Sequence, residues 1–410
     1  MAIVSFCRMC KHGQLSEFLN LGTHPPSDNF LSESQLVKSE KTYPLNLLLC
    51  QNCGLVQLGY VVPSDLMYNS EYPYETSMNK SGVEHFIQAA NSIYNKLELD
   101  QNSFVIDIGS NVGVLLSGFQ QKGVKVLGVE PSSNIAKKAI NVGIDTLSDF
   151  FSITLSKKIL NSHGKANVIT GTNVFAHIDD LDDFVSSVQI LLDKDGTLVI
   201  EAPYLQNMID NIEYDTIYHE HLSYLSLTPM VKFFQAKNMD IFDVECYPIH
   251  GGSLRYFICN KDQKEISDND KKLMNSELDY KLHSIENLKK FSKSVEKQKS
   301  ELIKLLFDLQ KNGKKIVGLS APAKGNTLLN YCNIGTSFLD YITEKSTLKI
   351  GKYTPGTHIK ILSDDFLEED KPDYALILAW NFASDIMKNN SKFIKQGGKF
   401  IIPIPSPKII

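Results

Sequence analysis

The stretch Phe104-Val105-Ile106-Asp107-Ile108-Gly109-Ser110-Asn111-Val112-Gly113 runs from a buried strand into a tight glycine turn. Val114, Leu115, Leu116 and Phe119 follow as an apolar helix, and Val124-Lys125-Val126-Leu127-Gly128-Val129 reads as a second strand that ends on Glu130. Strand, glycine turn, helix, strand and terminal acid predict a nucleotide-cradling βαβ unit. Gly109 supplies backbone freedom at the turn, and Gly113 lets helix and strand approach closely. Glu130 is placed to accept hydrogen bonds from two ribose hydroxyls.

The residue types in the turn bear on which nucleotide binds. A pyrophosphate at the helix N-terminus would be repelled by an acid in the loop. Asp107 stands just before the first glycine, and Asn111 takes the middle position of the Gly-x-Gly-x-x-Gly pattern. A carboxylate there suits a cationic amino-acid tail, which points to S-adenosylmethionine; NAD, or a unit without ligand, stays open. Further along, Asp149 in Thr146-Leu147-Ser148-Asp149-Phe150 could reach an adenine amino group or simply cap a turn. The strand Ala166–Thr170 leads into Gly171-Thr172-Asn173-Val174-Phe175-Ala176-His177. Ligands of open α/β sheets bind beyond the carboxyl ends of strands, so Asn173 and His177 fall near the expected cofactor sulfur. A helix over 181–192 and a strand over 196–201 continue the alternation.

At 410 residues the chain is too long for one core and suggests two or three domains. Its 42% hydrophobic and 22% charged content is that of an ordinary soluble globular protein. The net charge of −5, without a block of like charge, argues against a nucleic-acid partner. No apolar run approaches the ~20 residues of a membrane span, and no signal-peptide pattern is evident. Seven cysteines, four of them in two pairs, fit a reducing cytoplasm and a metal site better than disulfides.

Those pairs are Cys7-Arg8-Met9-Cys10 and Cys50-Gln51-Asn52-Cys53. Each Cys-x-x-Cys knuckle presents two thiolates, and two knuckles close a tetrahedral zinc site. Its role is structural, holding a small lobe that could not fold on its own core. Downstream, Met67-Tyr68-Asn69-Ser70-Glu71-Tyr72-Pro73-Tyr74 crowds three tyrosines round a proline. Tyrosine hydroxyls can stabilise a developing oxyanion, although a packed aromatic turn reads equally from these residues. A helix over 82–97 follows.

Tyr214-Asp215-Thr216-Ile217-Tyr218-His219-Glu220-His221 carries the most chemistry, with two histidines flanking a glutamate. A histidine beside a carboxylate has the basicity of a general base near neutral pH. Metal ligation and plain structural histidines are the competing readings. The place of the cluster, past a strand end of the cofactor unit, favours catalysis. Ile249-His250-Gly251-Gly252-Ser253 then opens a closing strand, and one or two charged helices with Leu273, Leu278, Leu282, Ile285, Leu288 and Phe291 at helical spacing bridge to the last domain.

That domain restarts the α/β pattern at Lys315-Ile316-Val317-Gly318-Leu319. The loop Ser320-Ala321-Pro322-Ala323-Lys324-Gly325-Asn326-Thr327 before an apolar helix is suited to cradle phosphate. Strands are expected over 339–342, 359–362, 374–379 and 399–402. Lys345 and Lys352 add two more loop cations, so the domain suggests an anionic, diphosphate-bearing ligand, with functionless surface lysines as the alternative.

Together the motifs resemble the sugar C-methyltransferases that act on nucleotide-linked 4-keto-deoxyhexoses. The likeness rests on the paired Cys-x-x-Cys lobe, Asp107–Gly113, Tyr218-His219-Glu220-His221, His250-Gly251-Gly252, Ala323-Lys324-Gly325-Asn326-Thr327 and Pro355-Gly356-Thr357-His358, in that order over nearly the whole chain. It implies an α/β protein of three parts. These are a zinc-binding N-lobe (1–66), a central class I methyltransferase Rossmann-like domain (67–262), and a C-terminal Rossmann-like α/β domain (263–410) that helps to hold the nucleotide sugar. The resemblance makes His221 the general base with Glu220 its partner, and puts Tyr72 and His177 near the sugar. Lys324, Asn326, Thr327, Lys345, Lys352 and His358 become candidates for the substrate, and Cys7, Cys10, Cys50 and Cys53 for zinc. An O- or N-methyltransferase, or a non-enzymatic zinc-ribbon adaptor, are the other functional classes.

Overall fold

In the computed structural model, which describes residues 2–68, 75–78 and 80–410, the chain is built on two doubly wound sheets and a small N-terminal lobe. The lobe contributes β1 (Ala2–Ile3), β2 (Leu15–His24), β3 (Tyr43–Cys50), β4 (Val56–Leu58) and β5 (Tyr60–Val61). The central sheet takes β6 (Phe104–Ile108), β7 (Lys125–Val129), β8 (Thr146–Leu147), β9 (Ala166–Thr172) and β10 (Leu192–Pro203). The short β11 (Ser223–Tyr224) returns to the N-terminal lobe, and β12 (Met239–Tyr247) and β13 (Ser253–Asn260) complete the central sheet. The C-terminal sheet holds β14 (Ile316–Leu319), β15 (Ile342–Glu344), β16 (Ile361–Ser363), β17 (Tyr374–Ile377), β18 (Lys399–Ile402) and β19 (Lys408–Ile409).

The central order is β12-β13-β10-β9-β6-β7-β8. β6 is parallel to both β7 and β9, so the strand order reverses at its carboxyl end. β13 runs antiparallel between β10 and β12, closing one side of the sheet. All five residues of β6 are buried, as a strand covered on both faces requires. The C-terminal order, β16-β15-β14-β17-β18-β19, is parallel up to an antiparallel last strand, and it reverses at β14. Ligands of such sheets bind in the crevice where the order reverses, so each sheet offers one.

β3 alternates buried and less buried residues, with Leu45, Leu47 and Leu49 turned inward, as a half-covered strand should. β11 adds itself to β4 through the pairs Ser223↔Gln57 and Tyr224↔Val56. The lobe therefore shares a sheet with the segment that follows His221. The 27-residue helix Ile285–Lys311 packs beside β2 and buries Leu288, Phe291, Val295, Leu302 and Leu306. Of the apolar residues at helical spacing in the bridging region, Leu278 is 74% exposed, because the helix Asp268–Tyr280 turns it to solvent. The Lys324 loop is also corrected, since the helix Ala323–Cys332 begins early enough to put Lys324 in its first turn.

Candidate active site

A cavity of about 1560 Å³ opens between the two sheets and the lobe. A single small-molecule site occupies ~300–1000 Å³, so this one has room for two ligands.

One wall is the switch point of the central sheet. Gly109 has φ +64°, and a Cβ there would stand 2.5 Å from Val174 Cγ2, which explains the glycine. Asn111 takes the left-handed conformation at φ 51°, which asparagine tolerates better than most residues. Glu130 closes the turn, its Oε2 accepting from the Asn111 N–H at 3.0 Å and its Oε1 from the Ser132 N–H at 2.8 Å. Burial pushes the Glu130 carboxyl above its usual range, against the pull of those N–H groups. Asp107 lies beneath the turn, accepts from Thr170 Oγ1 at 2.7 Å, and is pushed up to about 7 by burial. Asn173, beyond β9, is also left-handed (φ 57°) and lines the cavity. Asp149 is exposed and accepts from the Phe150 N–H, while Phe150 and Phe151 line the cavity.

The histidine segment forms the floor. His221 Nδ1 stands 2.8 Å from the Thr216 carbonyl oxygen. A carbonyl can only accept, so Nδ1 carries the proton and Nε2 the lone pair. The His177 ring lies 4.9 Å from the His221 ring, and the Tyr218 ring 4.0 Å from it, centroid to centroid. His177 Nδ1 is 2.7 Å from the Tyr68 hydroxyl, and burial, then the neighbouring His221, hold His177 well below its ordinary pKa. Glu220 lines the same cavity and is 6% exposed. His219 turns the other way: it is buried, directs Nε2 to the Tyr43 carbonyl at 3.3 Å, and burial lowers it to about 4. Tyr72 lies outside the described residues.

The opposite wall belongs to the C-terminal domain. Lys324, Lys345 and Lys349 line the cavity together with Ser320 and Ser346. Lys324 Nζ lies 4.1 Å from the centre of the Trp380 ring, and Trp380 Nε1 donates to Asp215 Oδ2 at 2.6 Å. Burial lowers the Lys324 pKa, offset in part by Asp215 and Glu213. Burial likewise lifts Glu213 to about 7. A Cβ on Gly251 (φ +87°) would fall 2.0 Å from Glu213 Oε1, so the His-Gly-Gly motif makes room for this acid.

The remaining candidates lie elsewhere. Asn326 and Thr327 are buried against neighbouring segments, donating to the Ser27 carbonyl at 2.7 Å and the Ile217 carbonyl at 3.0 Å. His358 Nε2 meets Glu40 Oε1 of the N-terminal lobe at 2.6 Å. Lys352 is not among the cavity-lining residues, whereas Lys349, three positions earlier in the same loop, is. Sequence reasoning missed Lys349 and Glu213, both of which line the cavity; only the basic character of the 345–352 loop hinted at the first.

Three family models match the chain: "Putative zinc binding domain" over 7–68, "Methyltransferase domain" over 83–243 and "C-methyltransferase C-terminal domain" over 248–405. The chain is 31% identical over 405 residues to C-methyltransferase NovU of Streptomyces niveus, covering 98% of this chain and 96% of that one. This chain belongs to the C-methyltransferase family. Among solved structures, it is similar to the magnesium protoporphyrin IX methyltransferase ChlM of Synechocystis with bound SAH (15% identity, 45% of this chain, 88% of that one, TM-score 0.36). It is likewise similar to a methyltransferase of Clostridium acetobutylicum (14% identity, 44% and 92% covered, TM-score 0.35).

The enzyme is an S-adenosylmethionine-dependent methyltransferase, and its residues fit that donor. The turn 108–112 holds no basic side chain, two acids stand at it, and Asn173 Oδ1 is a buried acceptor without a partner among the described residues. Such a set suits a cationic ligand bearing hydroxyls. Zinc fits as well. The sulfurs of Cys7, Cys10, Cys50 and Cys53 all lie within 4.8 Å of one another. The Cys7–Cys53 and Cys10–Cys50 pairs are at 3.5 Å. A tetrahedron of ~2.3 Å Zn–S bonds has edges of about 3.8 Å. Among the described residues, no helix is long and apolar enough to cross a membrane.

Proposed function

We propose that the enzyme methylates a carbon of a nucleotide-linked 4-keto-deoxy sugar, with His221 as the general base. The observation that carries this reading is the His221 tautomer: the Thr216 carbonyl holds the proton on Nδ1, so the lone pair of Nε2 belongs to a ring that lines the cavity. A ketone acidifies the adjacent C–H. His221 takes that proton, the C–H electron pair passes into an enolate, and negative charge develops on the ketone oxygen. Tyr72, or His177, stabilises that charge by hydrogen bonding. Bound S-adenosylmethionine would supply the electrophilic methyl group to the nucleophilic carbon, its methyl–sulfur bond breaking and S-adenosylhomocysteine being the leaving group. Asp107, Gly109, Asn111, Gly113, Glu130, Asp149 and Asn173 serve the donor in this reading.

Lys324, Lys345 and Lys349 supply the positive charge that a diphosphate requires, and they favour a nucleotide sugar over an uncharged ketone. NovU is a C-methyltransferase, which agrees with carbon as the acceptor. Incubation with a 13C-methyl donor and a panel of keto-sugar nucleotides tests the reading by product NMR. A C–13CH3 product is expected. An O–13CH3 product, or turnover only of unphosphorylated ketones, would overturn it.

A further inference from the structure

Arg8 is one of the two residues between the cysteines of the first knuckle, and its side chain is only 3% exposed. It leaves the lobe altogether. Nη1 donates to the Leu222 carbonyl at 2.8 Å, and Nε donates to Asp179 Oδ1 at 3.2 Å. Leu222 is the next residue after His221, and Asp179 stands two after His177. The backbone N–H of Arg8 is fixed in turn by Gln57 Oε1 at 2.8 Å, and Gln57 pairs with Ser223 in the shared sheet. The Leu222 carbonyl also receives the Leu58 N–H at 3.0 Å, so lobe donors hold it from two sides.

We propose that Arg8 is a positioning residue for both cavity histidines, through which the zinc knuckle fixes the geometry of proton transfer. The inference rests on His221 as base, as proposed above. The choice of residue follows from its shape. A guanidinium carries five N–H donors in a rigid plane and can span a carbonyl and a carboxylate on different segments, which a lysine ammonium on a flexible stem cannot hold in fixed register. The arrangement is costly for the fold: Nη2 is buried without a partner among the described residues. For lobe docking alone, a well-packed apolar side chain would often serve as well. The segment that follows β5 supplies a second hold, the Tyr68 hydroxyl at 2.7 Å from His177 Nδ1. The His177 ring is thus held directly and the backbone beside His221 through Leu222, while the Thr216 carbonyl in the turn Tyr214–Thr216 orients the His221 ring itself.

The test uses the full, zinc-loaded chain with Arg8→Lys and Arg8→Gln, and Asp179→Asn cuts the same link from its other end. Zinc content, affinity for S-adenosylhomocysteine, kcat, KM and the imidazole NMR signals of His221 are read together. One zinc per chain and an inhibitor affinity within about twofold of wild type are expected. kcat should fall ~10–100-fold, the range a displacement of about 1 Å causes, with KM nearly unchanged. The hydrogen-bonded Nδ1–H signal of His221 should broaden or shift. An unmoved His221 signal in all three variants overturns the proposal, and so does loss of zinc or of fold in proportion to the loss of kcat. A shifted signal with full turnover would retain the tie and remove His221 as base, which separates the two claims.

Discussion

The two doubly wound sheets repeat one device with opposite electrical settings. In the central sheet, Glu130 at the end of the second strand accepts backbone N–H groups of Asn111 and Ser132. In the C-terminal sheet, Glu344 does the same, its Oε2 accepting from the Ala321 N–H at 2.8 Å and its Oε1 from the N–H groups of Lys345 and Ser346. In both, an acid at a strand end fastens the loop of the strand where the order reverses. What differs is the side chains added round it. The central turn has Asp107 and Glu130 with no cation, whereas the C-terminal wall adds Lys324, Lys345 and Lys349. The shared unit makes a crevice, and in the proposed reading the charges suit a cationic ligand on one side and an anionic one on the other. The two crevices open onto one cavity, with His221 on its floor.

Substitutions should separate the walls. His221→Asn belongs to neither, so it should lower kcat by ~10²–10⁴-fold while donor affinity, measured by calorimetry, stays within about twofold. A comparable loss of donor binding would mean the histidine serves the donor wall. Lys349→Ala should raise the KM of the nucleotide sugar ~10–100-fold, the worth of one charge-assisted hydrogen bond, and leave the donor Kd alone. Lys352→Ala, three residues away, should change neither, and equal effects from both would point to diffuse attraction in place of a directed contact. Glu130→Gln should do the reverse of Lys349→Ala, weakening the donor about tenfold with the sugar KM unchanged. If it alters both, the walls are not independent.

The smallest effect concerns stability. Asp107 has a folded pKa of about 7 against the ordinary 3.8, raised mainly by burial. Its contribution is fully present below pH 3.8 and is lost as pH rises through about 7, because the folded state must then hold a buried charge. Thermal melts of the ligand-free protein should accordingly show Asp107→Asn gaining on wild type by a few degrees between pH 5 and 8. Parallel curves would place the titration elsewhere, for instance at Glu213 or Asp270, which also stand at about 7.

The central wall was legible in the sequence because its logic is local: a strand, a turn with a left-handed asparagine and a strand-end acid lie within 27 residues, Phe104 to Glu130. The zinc ligands were legible for the same reason, since each knuckle fixes two sulfurs by spacing alone. The C-terminal wall was read less well. Lys349 and Lys352 look alike along the chain, and only the packed turn, in which the Lys349 N–H bonds the Ser346 carbonyl at 3.0 Å, decides which one lines the cavity. His358 and Thr327 carry plausible chemistry, yet long-range partners, Glu40 and Ile217, claim them. The lobe sheet was invisible because β11 joins β4 from far along the chain, and so was the reach of Arg8.

The most direct measurement is hydrogen exchange at the substrate carbon in deuterium oxide, with S-adenosylhomocysteine present so that methyl transfer cannot occur. A base on the cavity floor predicts wash-in of one deuterium beside the ketone with wild-type enzyme and none above background with His221→Asn. Equal exchange by both proteins, or none by wild type that methylates the same substrate, would contradict the account.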